Sequence, residues 1–243
     1  MAATVRPHAA LAETALLPPG FSVPASRWTD PATRLRELLE SEPYVFAPGI
    51  YDPHGAEIAM YHRATAIYFS GYSFAIGHLG TTDMDLYSGP EIADGARRTV
   101  SALRKFQLTM ATGDPEKGVA PTHLEIPPVV VDMDGGYGNL FNVQRVAELY
   151  VNAGVAGAHI EDQVLPKRCG HIAGKALISA DEMIGKLRMA RAVAEDVGRD
   201  DFVVIAPSSS SIVRPPSRRL RRRTCRDGTR PWSARAPGGT ARR

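Results

Sequence analysis

The chain has 243 residues, of which 44% are hydrophobic and 23% charged, which is ordinary for a globular protein with room for one sizeable domain. No apolar stretch approaches the roughly 18 residues of a membrane span, and prolines interrupt the N-terminal run ALLPPGF, so neither an anchor nor a signal peptide is predicted. Two cysteines, Cys169 and Cys225, make a disulfide framework implausible and predict a cytoplasmic protein.

The net charge of +3 hides an uneven distribution along the chain. Residues 207–243 contain eleven arginines, no lysine and one acid, which leaves 18 basic and 25 acidic residues in 1–206. The tail lacks periodicity and apolar side chains, which predicts disorder. It could be an arm that binds nucleic acid, a plain disordered tail, or the product of a shifted reading frame in GC-rich DNA. Arginine without lysine among Ser, Pro and Gly favours the shifted frame, and we expect no nucleic-acid partner.

Residues 1–30, rich in Ala and Pro, are predicted to be a loose arm, and residues 31–206 a catalytic domain. Apolar periodicity and turn residues divide that domain into alternating helices and strands. In chain order these are helix 32–40, strand 44–52, helix 54–63, strand 66–71, helix 90–111, strand 127–134, helix 141–154 stopped by Gly154, strand 157–162, a helix from the Ser179–Glu182 capping box to Gly198, and strand 202–206.

Short apolar strands alternating with helices predict parallel βαβ units, in either a doubly wound sheet or a (β/α)₈ barrel. No G-x-G-x-x-G follows an early strand, which removes the main support for a dinucleotide-binding sheet. Polar residues follow successive strands instead, and in a barrel these positions converge on one mouth. The prediction is an α/β protein of the (β/α)₈ TIM-barrel type, incomplete because only about five βα units are recognisable.

The segment VDMDGGYGN (131–139) contains the first candidate site. Asp132 and Asp134, one residue apart at a strand end, can both face a hard cation such as Mg²⁺. An EF-hand loop is excluded because Gly136 and Tyr137 occupy the places of a ligand and of the invariant glycine. The remaining alternative is a plain Asp-Gly turn.

Two neighbouring strand ends add candidates. Glu161, in HIEDQ (159–163), could join the shell of the same cation, or could cap a helix or form a salt bridge. Ser70 and Gly71, in FSGYS (69–73), could bind a carboxylate through a hydroxyl and a backbone N–H. Because Ser-Gly turns are common, this second indication is weak taken alone.

The segment LPKRCGH (165–171) leaves four roles open for Cys169: acid/base, metal ligand, redox thiol or apolar residue. Lys167, Arg168 and His171 would favour the thiolate and lower the pKa of the thiol, as proton transfer to carbon requires. No C-x-x-C partner supports a redox role, and C-x-H without a second ligand pair is a weak zinc site. The acid/base role is favoured by the strand-end carboxylates.

Together these segments resemble the isocitrate lyase and phosphoenolpyruvate mutase superfamily over residues 32–206. KRCGH (167–171) matches the K-[KR]-C-G-H signature of its lyase branch, and DMDGGYGN (132–139) and GAHIEDQ (157–163) resemble its other loops. The segments APGIYDPHGAEIA (47–59) and AIYFSGYSFAIGHLGTTD (66–83) resemble its first two βα units. The resemblance implies a homotetramer that cleaves isocitrate to glyoxylate and succinate, or 2-methylisocitrate to pyruvate and succinate, with Mg²⁺ or Mn²⁺.

The resemblance also assigns roles to residues. The metal shell would comprise Asp132, Asp134, Asp83 and Glu161. The glyoxylate or pyruvate part of a di- or tricarboxylate substrate would be held by Ser70, Gly71 and Tyr72, and a further carboxylate by Arg168, Gly170 and His171. The catalytic loop would be Lys167, Cys169 and His171, with Cys169 delivering a proton to carbon.

The chain also departs from the superfamily. The fifth strand normally continues ARTDA, whereas Pro207 and Ser208 follow here, and strands six to eight have no candidate. We therefore expect this chain to be inactive or poorly folded. Related activities remain open, namely a carboxyphosphonoenolpyruvate-type phosphonomutase and oxaloacetate- or dimethylmalate-cleaving enzymes. In a different class, a non-catalytic protein with a nucleic-acid-binding tail remains the alternative.

Overall fold

A computed structural model of the chain describes residues 30–169 and 174–207. The predicted N-terminal arm up to residue 29, the predicted tail from Ser208, and two predicted site residues, Gly170 and His171, lie outside the described residues. The helices and strands are α1 (Pro31–Ser41), β1 (Gly49–Ile50), α2 (Pro53–Tyr61), β2 (Ile67–Phe69), α3 (Gly71–Leu79), α4 (Gly89–Thr112), a 3-10 turn (Pro115–Lys117), β3 (Val129–Asp132), α5 (Leu140–Ala153), β4 (Gly157–His159), α6 (Ala180–Asp196) and β5 (Val203–Ile205).

The five strands form one parallel sheet in the order β1-β2-β3-β4-β5, so each strand lies next to its neighbour along the chain. A doubly wound sheet reverses its strand order at a switch point, whereas a barrel adds each strand on the same side. The sequential order is therefore that of a barrel, with β1 and β5 at the two edges of the described sheet.

The two faces of the sheet have different coverings because strand side chains alternate in direction. Ile67, Phe69 and Val131 belong to the main apolar core, together with buried residues of α2, α4, α5 and α6. On the other face, Tyr68, Val130 and Val203 pack with Ala32 and Leu35 of α1. Helix α1 thus covers the face that would be the barrel interior.

Polar contacts fasten α1 to the chain just before β5. The Arg36 guanidinium donates to three backbone carbonyls, those of Asp200 at 3.1 Å, Asp201 at 2.6 Å and Phe202 at 3.2 Å. The Thr33 hydroxyl donates to the Asp201 carboxylate at 2.8 Å. These contacts join segments about 165 residues apart, at the amino ends of the strands.

Two parts of the first half of the domain differ from the sequence prediction. The predicted strand 44–52 contracts to Gly49–Ile50, and Tyr44 and Phe46 are exposed, so their apolar character did not indicate burial. Helix α3 was not predicted. It begins because the Ser70 hydroxyl caps the Ser73 N–H, and it ends at Gly80 in the left-handed conformation with φ 62°. No helix within 30–169 and 174–207 is both long and apolar enough to cross a membrane.

Candidate active site

Asp132, at the end of β3, organises the carboxyl edge of the sheet. Its Oδ2 accepts a hydrogen bond from the Gly71 N–H at 3.2 Å, and its Oδ1 accepts from the Asp134 N–H at 3.0 Å. The buried Tyr150 hydroxyl donates to the Asp132 carbonyl at 2.5 Å. The predicted metal loop and the predicted substrate loop therefore meet at one carboxylate.

Lys167 joins the cysteine loop to two of the predicted metal ligands. Its Nζ lies 2.8 and 3.0 Å from the two carboxylate oxygens of Asp83, and it is in ion contact with Oδ1 of Asp134. All three side chains are buried. The Asp134 carbonyl also accepts a hydrogen bond from the Glu161 N–H at 2.7 Å. The fold thus brings together residues that are far apart in sequence. The strand-end argument predicted that Asp134 and Glu161 lie close together, whereas Asp83 was assigned to the site only by the resemblance.

Burial and neighbouring charges shift the pKa values of these groups in different directions. Burial, reinforced by the Asp132 carboxylate, raises the pKa of Asp134 to about 7. Burial also acts against the charge of Asp132, but His159 and Lys167 outweigh it, so the pKa of that carboxyl lies below its usual value. Burial opposes the charge of Lys167 too, yet the Asp134 and Asp132 carboxylates raise the pKa of the ammonium, which stays charged.

The donor atoms at this edge are of the chemical type that hard divalent cations bind. Asp83, Asp132 and Asp134 are buried, and the Lys167 ammonium contacts two of them, Asp83 and Asp134. Both oxygens of Asp134 and Oδ1 of Asp83 make no well-directed hydrogen bond to another described residue, although Lys167 is close by. Oxygen donors with unused lone pairs are what Mg²⁺ and Mn²⁺ take.

The four predicted metal ligands nevertheless do not form a converged ligand set. Among the residues that the structure describes, no group of three or more His, Cys, Asp or Glu side chains is arranged to hold a metal ion. The Lys167 ammonium lies between Asp83 and Asp134, and the Glu161 carboxylate accepts a hydrogen bond from the Gln163 amide. The acids are neighbours around Asp132, with their oxygens turned to different partners.

In the predicted substrate loop, Ser70 caps helix α3, and Gly71 packs closely against Tyr87 and Asp132. The Ser70 Oγ accepts from the Ser73 N–H at 3.2 Å, which leaves the hydroxyl proton free for another acceptor. A Cβ on Gly71 would lie 2.0 Å from the Tyr87 hydroxyl and 2.9 Å from Oδ2 of Asp132, so a larger residue does not fit. The Tyr72 side chain is half exposed, next to this loop.

The segment before Cys169 is held by a side chain that the sequence analysis did not single out. The buried Gln163 amide donates to the Arg168 carbonyl at 3.0 Å, and its oxygen accepts from the Arg168 N–H at 3.2 Å. The Lys167 N–H donates to the Asp85 carboxylate at 3.1 Å. Cys169 is itself buried, with 7% of its surface exposed. The ammonium of Lys167 contacts the carboxylates of Asp83 and Asp134. Lys167 therefore links the cysteine segment to the loops that carry these two acids.

Two further residues at this edge were missed from the sequence. The Tyr68 hydroxyl lies 2.9 Å from Nδ1 of His159, and the same nitrogen lies 3.8 Å from Oδ1 of Asp132. The strand pattern could have indicated both residues. Alternation along β2 and β4 places Tyr68 and His159 on the face that Asp132 occupies, and Asp132 and His159 are register partners.

Comparison with known proteins places the chain in a family. A family model described as phosphoenolpyruvate phosphomutase matches residues 35–222. The chain belongs to the phosphoenolpyruvate phosphomutase family. Its members catalyse carbon–carbon cleavage or mutase reactions, and the chain is similar to isocitrate lyase of Haloferax volcanii, with 38% identity over 71% of this chain and 43% of that protein.

Other members of the family support the same assignment. The chain is 36% identical to 2-methylisocitrate lyase of Aeropyrum pernix over 72% of this chain and 48% of that protein. The structure of an oxaloacetate acetylhydrolase bound to 3,3-difluorooxalacetate superposes with a TM-score of 0.62 and 35% identity, over 74% of this chain and 54% of the other. The predicted superfamily and TIM-barrel type are confirmed. The chain spans about half the length of these relatives.

Proposed function

We propose that the protein is a Mg²⁺-dependent lyase that cleaves a 2-hydroxy tricarboxylate, isocitrate or 2-methylisocitrate, by retro-aldol chemistry. The observation that carries the proposal is the contact of Lys167, from the KRCGH segment, with Asp83 and Asp134 beside Asp132. This contact brings the segment that contains Cys169 to the edge of the sheet where the buried carboxylates lie. Mn²⁺ is an alternative ion, and assembly into a homotetramer is part of the proposal.

The residues at the edge match the requirements of the reaction. The substrate hydroxyl loses its proton as the C–C bond breaks and a carbonyl forms, and the bonding electron pair passes to the carbon next to a carboxylate. His159, beside Tyr68 and Asp132, is an imidazole at this edge that can accept the hydroxyl proton. Cys169 then supplies a proton to the carbon, which completes the second product.

The remaining roles are binding and electrostatic. A divalent ion held by Asp132, with Asp134, Asp83 and Glu161 in support, would stabilise the negative charge that develops on the substrate oxygens. The Ser70 hydroxyl and the backbone of Gly71 and Tyr72 would orient the smaller product, and Arg168, Gly170 and His171 the carboxylate of the larger one. The buried Tyr87 and the partly buried Tyr137 lie near Asp134 and would help to exclude water from this side of the site.

Ligand binding tests the proposal without requiring turnover. With Mg²⁺ present, glyoxylate or pyruvate should raise the melting temperature of the chain, and the better ligand indicates isocitrate or 2-methylisocitrate as substrate. Asp132→Ala should abolish the shift. Equal shifts with and without Mg²⁺, or none with either ligand, would contradict a metal-dependent site for an oxo acid.

Turnover is the second arm of the test. Isocitrate, 2-methylisocitrate, oxaloacetate and 2,3-dimethylmalate are each incubated with the chain and Mg²⁺, and the oxo-acid or acetate product is measured. Any activity should fall at least about 10³-fold in Cys169→Ser and remain unchanged in Cys225→Ser. Rates of about 1–10³ s⁻¹ on one substrate would show that our expectation of an inactive chain is wrong.

A further inference from the structure

A lysine on α6 is buried without belonging to the proposed reaction. Lys186 has 2% of its surface exposed and shares the inner face of α6 with Ala190, Val193 and Ala194. Its Nζ donates to the Gly135 carbonyl at 2.9 Å and lies 3.4 Å from Oε1 of Glu182, a side chain that is half exposed. The ammonium therefore reaches from a helix into the loop of the D-x-D segment.

Stability alone does not account for this lysine. Removing an ammonium from water is strongly unfavourable, and one carbonyl and one half-exposed carboxylate compensate only part of that penalty. A methionine of similar length would pack beside the same apolar neighbours without this penalty. The contact that Lys186 makes, rather than the burial of its stem, is the feature that requires an explanation.

The loop that Lys186 contacts has an unusual backbone. Asp134 has φ 47° and Gly136 has φ 86°, on either side of Gly135. The left-handed conformation is unfavourable for a non-glycine residue, and it persists where its surroundings hold it. Asp134 is held by Lys167 at its side chain, and the Lys186 contact fixes the next carbonyl in the chain.

Gly135 also touches the segment that leads to Cys169. A Cβ at this position would lie 3.0 Å from Cδ2 of Leu165 and 3.2 Å from the Gln163 carbonyl, so the two segments are in close contact. Gln163 in turn holds both backbone groups of Arg168. The carbonyl that Lys186 binds thus lies where the metal loop and the cysteine segment meet.

We propose that Lys186 is a positioning residue that holds the loop 133–138 through the Gly135 carbonyl, so that the Asp134 carboxylate stays in contact with Lys167. The part of this proposal that concerns the order of the loop rests on the geometry alone. The effect of this order on the affinity for a divalent cation also rests on the proposed function. Loop order and cation affinity are therefore measured separately.

The first measurement is amide hydrogen exchange of the full chain, followed by mass spectrometry. Lys186→Met removes the donor and keeps the stem, Lys186→Arg restores a donor, and Lys105→Met is the control on the exposed face of α4. We expect exchange in peptides covering 133–138 to increase about tenfold in Lys186→Met, while α6 stays as protected as in the parent chain. Lys186→Arg should recover most of the protection, and Lys105→Met should change neither peptide.

The second measurement is Mn²⁺ affinity, by electron paramagnetic resonance, which needs no turnover. Lys186→Met should raise the Kd about tenfold, with Lys186→Arg and Lys105→Met close to the parent chain. Unchanged exchange in 133–138, an equal increase across α6, or an unfolded Lys186→Met would each overturn the positioning role. If the loop responds as expected while the parent chain binds no Mn²⁺, the positioning role stands and the proposed metal-dependent function fails.

Discussion

The two ends of the sheet differ in the burial and hydrogen bonding of their charged side chains. At the carboxyl ends of the strands, Asp83, Asp132, Asp134 and Lys167 are buried, and oxygens of Asp83 and Asp134 make no well-directed hydrogen bond to another described residue. At the amino ends, Arg36 lies partly in solvent and each contact reaches a defined carbonyl. One end holds charges that oppose stable folding, whereas the other uses charge to fasten the first helix to the last strand.

This difference agrees with the separate roles that the two ends of a barrel are expected to have. Residues at the carboxyl ends of barrel strands perform chemistry, and those at the amino ends contribute stability. Buried carboxylates in excess of cations are unfavourable unless a ligand uses them, so local energetic conflict points to function. In this chain the conflict centres on Asp134, which combines burial, a left-handed backbone and a raised pKa.

The largest effect should come from Lys167→Met, at the carboxyl end. The substitution leaves Asp83 and Asp134 buried without their shared cation, and we expect the free energy of unfolding to fall by about 3–5 kcal/mol in urea titrations. Lys117→Met, which breaks an exposed pair with Asp114, is the control and should leave the transition unchanged. A loss as small as that of the control would mean that the carboxyl end is not electrostatically strained.

A somewhat smaller effect is expected for Gly71→Ala, where the substrate loop contacts Asp132. The new Cβ would overlap the Tyr87 hydroxyl, and the forced shift should cost about 2–3 kcal/mol. Adding Tyr87→Phe removes the nearest atom, so the double variant should recover most of the loss. Gly77→Ala, whose Cβ meets the partly exposed Tyr51 ring, should cost less. Equal losses in all three variants would show that close packing at Gly71 is not specific.

At the amino end, Arg36→Ala should lower the free energy of unfolding by about 2 kcal/mol, because three carbonyls lose a charged donor. Arg34→Ala on the same helix removes only a contact of 3.5 Å with Glu37 and should cost less than about 0.5 kcal/mol. Urea titrations of the two variants measure the difference. If they are indistinguishable, the amino end does not depend on the Arg36 contacts.

The smallest effect concerns pH at the same end. Burial opposes the charge of Asp201, but Thr33 and Arg199 outweigh it, so the pKa of Asp201 lies below its usual value. A lowered pKa contributes stability at neutral pH that is lost as pH falls below about 4. Asp201→Asn should remove that part of the acid sensitivity, worth less than about 1 kcal/mol because solvent screens the group. An unchanged pH dependence of the melting temperature would contradict this.

Local signals in the sequence predicted most of the fold. Strand–helix alternation, the Ser179 cap and the stop at Gly154 all reflect short-range energetics, and the structure confirms them. The prediction failed where local signals mislead. Tyr44 and Phe46 have strand character but are exposed, and α3 follows a serine-glycine pair that also suits a turn.

Some residues of the candidate site could be identified from the sequence, and others needed the structure. Asp132, Asp134, Asp83 and Lys167 could be selected from strand ends and from a family motif, and the structure brings them together. Gln163, Tyr68 and His159 needed the structure, because hydrogen bonds between loops depend on how strands align. No property of the isolated segment around Gln163 shows that its amide will hold both backbone groups of Arg168.

The sequence by itself determined the family, the parallel alternation and the identity of the charged groups, since these depend on residue types and short spacings. Tertiary structure alone decided that Lys167 lies between Asp83 and Asp134, that Lys186 reaches the Gly135 carbonyl, and that Gly71 has no room for a side chain. The physical reason is the distance along the chain over which each kind of interaction acts. Helix caps and strand patterns act over a few residues, whereas the pairing of buried charges depends on distances that only the packed sheet sets.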